Sequence, residues 1–91
     1  MAEVVRRRIV VNGRVQGVWF RASAEREAAR LHIAGSAANR YDGSVELVAE
    51  GDADAVERFV AWARGGSPRA VVTNVRVTDE EPTGAQGFNV R

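Results

Sequence analysis

Three features of the sequence predict an α+β fold in which an antiparallel sheet carries both of its helices on one face. Runs rich in β-branched residues alternate with two segments of helical period, in the order strand, helix, strand, strand, helix, strand. An Asp42-Gly43 pair separates the two middle strands, and such a pair between apolar runs signals a hairpin. The 91 residues, 45% hydrophobic and 27% charged, suffice for one packed core and seldom make two. This βαββαβ order is that of the split βαβ, or ferredoxin-like, sandwich, read as a single domain over residues 1–91. Right-handed crossovers then place the first and third strands side by side at the centre, with the loop after the first strand close to the second strand.

The first strand, Val5 to Asn12, ends in the β-branched run Ile9-Val10-Val11. Within it, Arg6-Arg7-Arg8 reads either as a nucleic-acid patch or as the solvated start of the strand. Three charges without interleaved aromatics favour the second. From Phe20 to Leu31 the period is helical: Phe20, Ala24, Ala28 and Leu31 share one face, and Glu25, Arg26, Glu27 and Arg30 supply the polar one. His32 follows where an imidazolium suits the helix dipole, and is read as structural.

A second strand is expected over Ile33 to Arg40, then a type I′ turn at Tyr41-Asp42-Gly43 and a third strand from Ser44 to Glu50, with Val45 and Leu47 inward. Asp54 and Glu57 have the spacing of a capping box for the second helix. Val56, Phe59, Val60 and Ala63 form its stripe, Trp62 covers the core edge, and Gly65-Gly66 with Pro68 stop it. Ala70 to Thr78 reads as a strand with Val71, Thr73, Val75 and Val77 on one face. After the acidic loop Asp79 to Pro82, Phe88-Asn89-Val90-Arg91 offers a short fifth strand.

Charge and composition narrow the function. Thirteen basic residues, all arginine, nearly balance twelve acidic ones, so the chain lacks the basic excess that dominates nucleic-acid binding. Without cysteine there is no disulfide scaffold, thiolate nucleophile or Cys-based zinc site, and the single His32 does not make a His-rich one. No metal site or cofactor built on cysteine or histidine is therefore expected. In Met1 to Val11 the apolar run after the arginines is too short for a signal-peptide core or a bilayer span. The expectation is a soluble, cytoplasmic monomer with no nucleic-acid or membrane partner.

The stretch Gly13-Arg14-Val15-Gln16-Gly17-Val18-Trp19-Phe20-Arg21 joins the first strand to the first helix without an ordinary cap. Its charged residue at the positive end of the helix dipole is Arg21, where an acid is favoured. A bound anion reconciles these features: phosphate accepts from the unpaired N–H groups, Arg21 closes on it as a planar fork, and the glycines let the backbone approach. The alternative makes Ser23 the true N-cap, Arg21 a solvated loop residue and Gly13 and Gly17 ordinary turn glycines. The residues alone leave both open.

This nine-residue string resembles the G-x-V-Q-G-V-x-F-R signature of the acylphosphatase family at every fixed position. The segment Asn39-Arg40-Tyr41-Asp42-Gly43-Ser44-Val45-Glu46 is similar to that family's N-x-x-D-G-x-V-E segment. The resemblance implies a metal-independent hydrolase that cleaves the carboxyl–phosphate bond of a small-molecule acyl phosphate. It implies further that Arg21 and backbone N–H groups of Val15, Gln16, Gly17, Val18, Trp19 and Phe20 bind the phosphate, while Asn39 positions the attacking water. The run Gly35-Ser36-Ala37-Ala38 departs from the bulkier Gly-Trp-Val type of run expected before Asn39, which touches packing beneath the site more than identity.

Chemistry agrees with that reading. An acyl phosphate is a mixed anhydride whose leaving group is a carboxylate, so its departure needs no strong general acid. What remains is to hold the phosphoryl group, offset its charge and place a water in line. Two other classes share the topology. An RNA-recognition module needs aromatics on its central strands, where this chain has Ile9, Val11, Val45 and Leu47. A non-catalytic anion-binding or regulatory domain would use the same loop without turnover.

Overall fold

Every second residue of the first strand that is apolar turns inward, and this alternation seeds the sheet: Ile9 and Val11 of β1 (Val4–Arg14) are fully buried. The computed structural model describes residues 3–91. Met1 and Ala2, which begin the N-terminal stretch read above for a signal core, lie outside them. The elements after β1 are α1 (Phe20–Leu31), β2 (Ala34–Asn39), β3 (Val45–Asp52), α2 (Ala53–Gly65), β4 (Val71–Glu80) and β5 (Phe88–Val90). The strand order is β4-β1-β3-β2-β5, with β1 and β3 adjacent at the centre as expected. Four strands pair antiparallel, whereas β5 joins β2 in parallel and makes the sheet mixed.

Both helices cover the same face. Ile9, Val11, Val45, Leu47 and Ala49 from the sheet meet Phe20, Ala24 and Ala28 of α1 and Val56, Phe59 and Ala63 of α2 in one core. Each fully buried side chain of Val or Leu size contributes about 1.5–3 kcal/mol relative to exposure. Trp62 lies at the core edge, its ring 5.3 Å from Phe20 and 5.8 Å from Phe59. His32 ends α1 in a left-handed conformation, and Gly66 ends α2 with positive φ. Among the described residues no helix is long and apolar enough to cross a membrane.

Local details differ from the sequence reading where a side chain intervenes. The hairpin is not type I′: in the loop only Gly43 has positive φ, Gly43 N–H donates to the Arg40 oxygen at 3.2 Å, and Arg40 N–H donates to the Ser44 oxygen at 2.9 Å. Asp42 stays in the ordinary region because its Oδ1 accepts from the Ser44 hydroxyl at 2.6 Å and the Ser44 N–H at 3.0 Å, building a three-residue loop with one left-handed glycine. The Ser44 hydroxyl, then its N–H, holds the Asp42 carboxyl below its usual range.

The second helix starts two residues earlier than the capping-box reading, with Asp52 at the N-cap and no side-chain cap bond, while Asp54 stands in the first turn. Glu57 has turned instead to the Arg7 guanidinium on β1. On β4 a bulge breaks the expected face. Asn12 pairs with Asn74 and Gly13 with Val72, leaving Thr73 as the extra residue. Val72, Val75 and Val77 therefore pack against the core, and Val71 is exposed.

Arg6, Arg7 and Arg8 of β1 form no free basic patch. Arg6 bonds Glu50 and Glu80, both at 3.0 Å, Arg8 bonds Glu80 at 2.6 Å and Glu46 at 2.8 Å, and Arg7 bonds Asp79 at 3.0 Å as well as Glu57. They are half-buried and paired, not solvated.

Glu50 is the most enclosed of these acids, with 5% of its side chain exposed. Beside Arg6, its oxygens accept from the N–H groups of Thr83 (3.0 and 3.2 Å), Gly84 (2.8 Å) and Ala85 (3.2 Å), and from the Thr83 hydroxyl at 3.2 Å. The Thr83 N–H first, then Arg6 and the other N–H groups, outweigh burial and pull its carboxyl from 4.5 down to about 2. A carboxylate depressed on folding stabilises fully above its unfolded value near 4.5, and that contribution is lost as pH falls from there toward about 2. Thermal unfolding of the parent and Glu50→Gln between these limits should show the gap between their midpoints closing as pH falls. A gap independent of pH would contradict the assignment.

Candidate active site

The loop between β1 and α1 is shaped by positive-φ backbone at Gly13, Gly17 and Trp19. At Gly13, φ is +123° and a Cβ would stand 2.1 Å from the Val71 oxygen, so the chain leaves the sheet against the bulge in β4. Gly17 has φ +72° with open space around it. Trp19, the N-cap of α1, is left-handed at φ 63°, ψ 20°, and makes no side-chain cap bond. The first bond of α1 runs from the Ser23 N–H to the Trp19 oxygen at 2.9 Å. Phe20, Arg21 and Ala22 thus present N–H groups without a helical acceptor, and no acid stands in the first turn. Ser23 lies inside the helix and is not its cap.

Three side chains hold this loop. Gln16 Nε2 donates to the backbone oxygens of Arg40 at 2.8 Å and Ser44 at 2.9 Å, fastening the loop to the β2–β3 hairpin. The buried Ser67 hydroxyl donates to the Val18 oxygen at 3.2 Å from the segment after α2. Phe20 is sunk into the core beneath. Sequence reasoning missed the Gln16 side chain as a fastener and missed Ser67 entirely. Gln16 was visible as a fixed position of the signature; Ser67 carried no signal beyond a small polar residue beside a helix stop.

Val15, Gly17, Trp19, Phe20, Arg21, Ala22, Asn39 and Val90 line one cavity of about 450 Å³. Arg21 and Asn39, 18 positions apart in the sequence, are thus brought to a common space. Gln16 and Val18 are not among the lining residues; the first faces the hairpin, and the oxygen of the second is taken by Ser67. Arg21 donates from Nη1 to the backbone oxygen of Arg91, just past β5. Asn39 ends β2 opposite Val45, and its amide makes no hydrogen bond among the described residues. Trp19 stands at the rim, 75% exposed.

Beneath the site, the small run of β2 has a packing reason. A Cβ on Gly35 would stand 1.7 Å from the Val48 oxygen, and Ala37 is fully buried between Leu47 of β3 and Val90 of β5.

The cavity's lining includes Arg21 and the first residues of α1, where the helix dipole is positive, and no acid. Asp42 and Glu46 line a separate hollow with Asn39, Arg40 and Tyr41. Among the described residues no three His, Cys, Asp or Glu side chains are grouped so as to hold a metal ion. An arrangement of aligned N–H donors, a guanidinium and one free amide is suited to seating a tetrahedral anion with a water beside it.

Comparison with known proteins bears on what that anion is. A family model described as Acylphosphatase matches residues 7–90. The chain is 54% identical over 79 residues to an acylphosphatase of Azoarcus sp. (strain BH72), covering 87% of this chain and 81% of that protein. It is 50% identical over 86 residues to an acylphosphatase of Thermococcus kodakarensis, covering 94% of each. Among solved structures, acylphosphatase from Bacillus subtilis superposes with a TM-score of 0.92 at 41% identity, over 96% of this chain and 98% of that one.

Proposed function

Because the chain belongs to the acylphosphatase family, we propose that it hydrolyses acyl phosphates to a carboxylate and inorganic phosphate, with Arg21 and Asn39 as its catalytic residues. The observation that carries this reading is the convergence of Arg21, the uncapped start of α1 and Asn39 on one cavity.

In this mechanism the substrate phosphoryl group sits against the N–H groups of the loop, from Val15 to Phe20, and the Arg21 guanidinium. Their fixed positive character offsets charge on the equatorial oxygens without reorganisation during the reaction. The Asn39 side-chain oxygen accepts from a water and holds it in line with the scissile P–O bond. The water oxygen bonds to phosphorus, the P–O bond to the acyl group breaks, and its electron pair leaves with the carboxylate. Asn39 is too weak a base to take the water's proton, which passes to a phosphate oxygen. The guanidinium and helix end supply the charge that a metal supplies elsewhere, so the reaction proceeds without one.

Single-turnover hydrolysis in heavy-oxygen water tests the site of attack. The label is expected in inorganic phosphate. Label in the carboxylate would place attack at the acyl carbon and overturn the assignment of Asn39.

A further inference from the structure

The segment from residue 81 to 87 leaves β4 at one edge of the sheet and begins β5 at the other, so it spans β1, β3 and β2. It has no regular structure, yet three successive N–H groups, those of Thr83, Gly84 and Ala85, converge on the Glu50 carboxylate. A carboxylate this enclosed is costly to bury, and an apolar side chain would cover the sheet without that cost. What Glu50 provides instead is a fixed point for an otherwise irregular segment.

That fixed point lies at the start of β5. The strand has only three residues on the sheet edge, too few to hold its place by ladder bonds alone. From the clamp it runs parallel to β2, with Gly35 N–H on the Gly87 oxygen at 2.9 Å and Arg91 N–H on the Ala37 oxygen at 2.8 Å. Phe88 braces it against Phe59, ring centres 6.0 Å apart. Its far end supplies Val90 to the cavity wall and the Arg91 oxygen to Arg21. One continuous piece of backbone thus joins Glu50, which does not line the cavity, to the orientation of the guanidinium that does.

We propose that Glu50 is a positioning residue: by clamping Thr83, Gly84 and Ala85 it sets the register of β5 and so holds Arg21 in the orientation that receives phosphate. The role rests on the reading of Arg21 as the phosphate anchor. In Glu50→Gln one oxygen becomes an NH₂ that faces either the three N–H donors or Arg6, while Arg6 keeps Glu80. The connector is released, but Asn39 and the loop after β1 are untouched.

The test measures kcat, KM and inhibition by inorganic phosphate for the parent and Glu50→Gln, with amide exchange at Thr83, Gly84, Ala85 and Arg91. KM and the phosphate inhibition constant should rise together by about five- to tenfold, and kcat should fall by at least as much, because the guanidinium that Glu50 orients acts on bound phosphate and more strongly on the transition state. The four amides should exchange about tenfold faster or more, while core amides of α1 do not change. A loss of folded protein alone would lower apparent kcat and leave the inhibition constant where it was, which overturns the role, as does slow exchange in a folded variant. If Glu50→Gln fails to fold, Thr83→Val decides, since it removes only the hydroxyl bonds to Glu50 and Arg6. The same shifts in smaller measure support the clamp, and none overturns it. Parent turnover, measured alongside, separates this outcome from failure of the hydrolase reading, which an inactive parent would show.

Discussion

Replacing Asn39 by alanine is expected to lower turnover of an acyl phosphate by roughly a hundred- to a thousandfold while phosphate inhibition shifts by less than about twofold. The asymmetry follows from position. Asn39 ends β2 with its amide unengaged among the described residues, and it shares the cavity with Arg21 without belonging to the loop after β1. In the proposed mechanism, removing the amide takes away a water's orientation but no phosphate ligand. Its side chain is exposed and its backbone pairing with Val45 survives, so the variant should unfold at the parent's temperature to within a few degrees. Equal loss of turnover and phosphate affinity would mean that Asn39 binds the anion and does not place the water.

Arg21→Gln should fail differently. Glutamine is shorter and keeps an amide donor but loses the charge and the fork, so phosphate inhibition should weaken about ten- to a hundredfold, the range expected for a lost charge-assisted hydrogen bond. Turnover should fall by about a thousandfold or more, because charge on the phosphoryl oxygens is greatest in the transition state. Arginine stands in the first turn of α1 against the favourable direction of the dipole, and Arg21→Gln removes that repulsion. A variant as stable as the parent and nearly inactive would thus mark Arg21 as a residue kept for binding. Retention of both inhibition and turnover would remove it from the site.

How far the sequence alone reaches is clearest at particular residues. The inward alternation of β1 and the helical stripe of α2 depend on local period, and both were legible. So was the missing cap before Phe20, because an unfilled position in a common pattern is itself local information. Glu57 was misread as half of a capping box since Arg7, its partner, lies 50 positions away. The Thr73 bulge depends on how β4 meets Gly13, and the parallel direction of β5 on the path of the connector that Glu50 holds. Ser67 reaches Val18 across 49 positions. Each of these is a contact between segments remote in the chain, where neither partner announces the other; the hairpin alone was misread locally, because the Asp42 side chain bonds Ser44 two residues on.

The measurement that bears most directly on the central claim is hydrolysis of benzoyl phosphate by the purified protein in excess chelator, corrected for spontaneous breakdown. Steady release of phosphate, unchanged by the chelator and inhibited by added inorganic phosphate, is the predicted result. No release from a folded protein that still binds phosphate would make this an anion-binding domain, and release only after Mg²⁺ is restored would contradict the metal-independent mechanism.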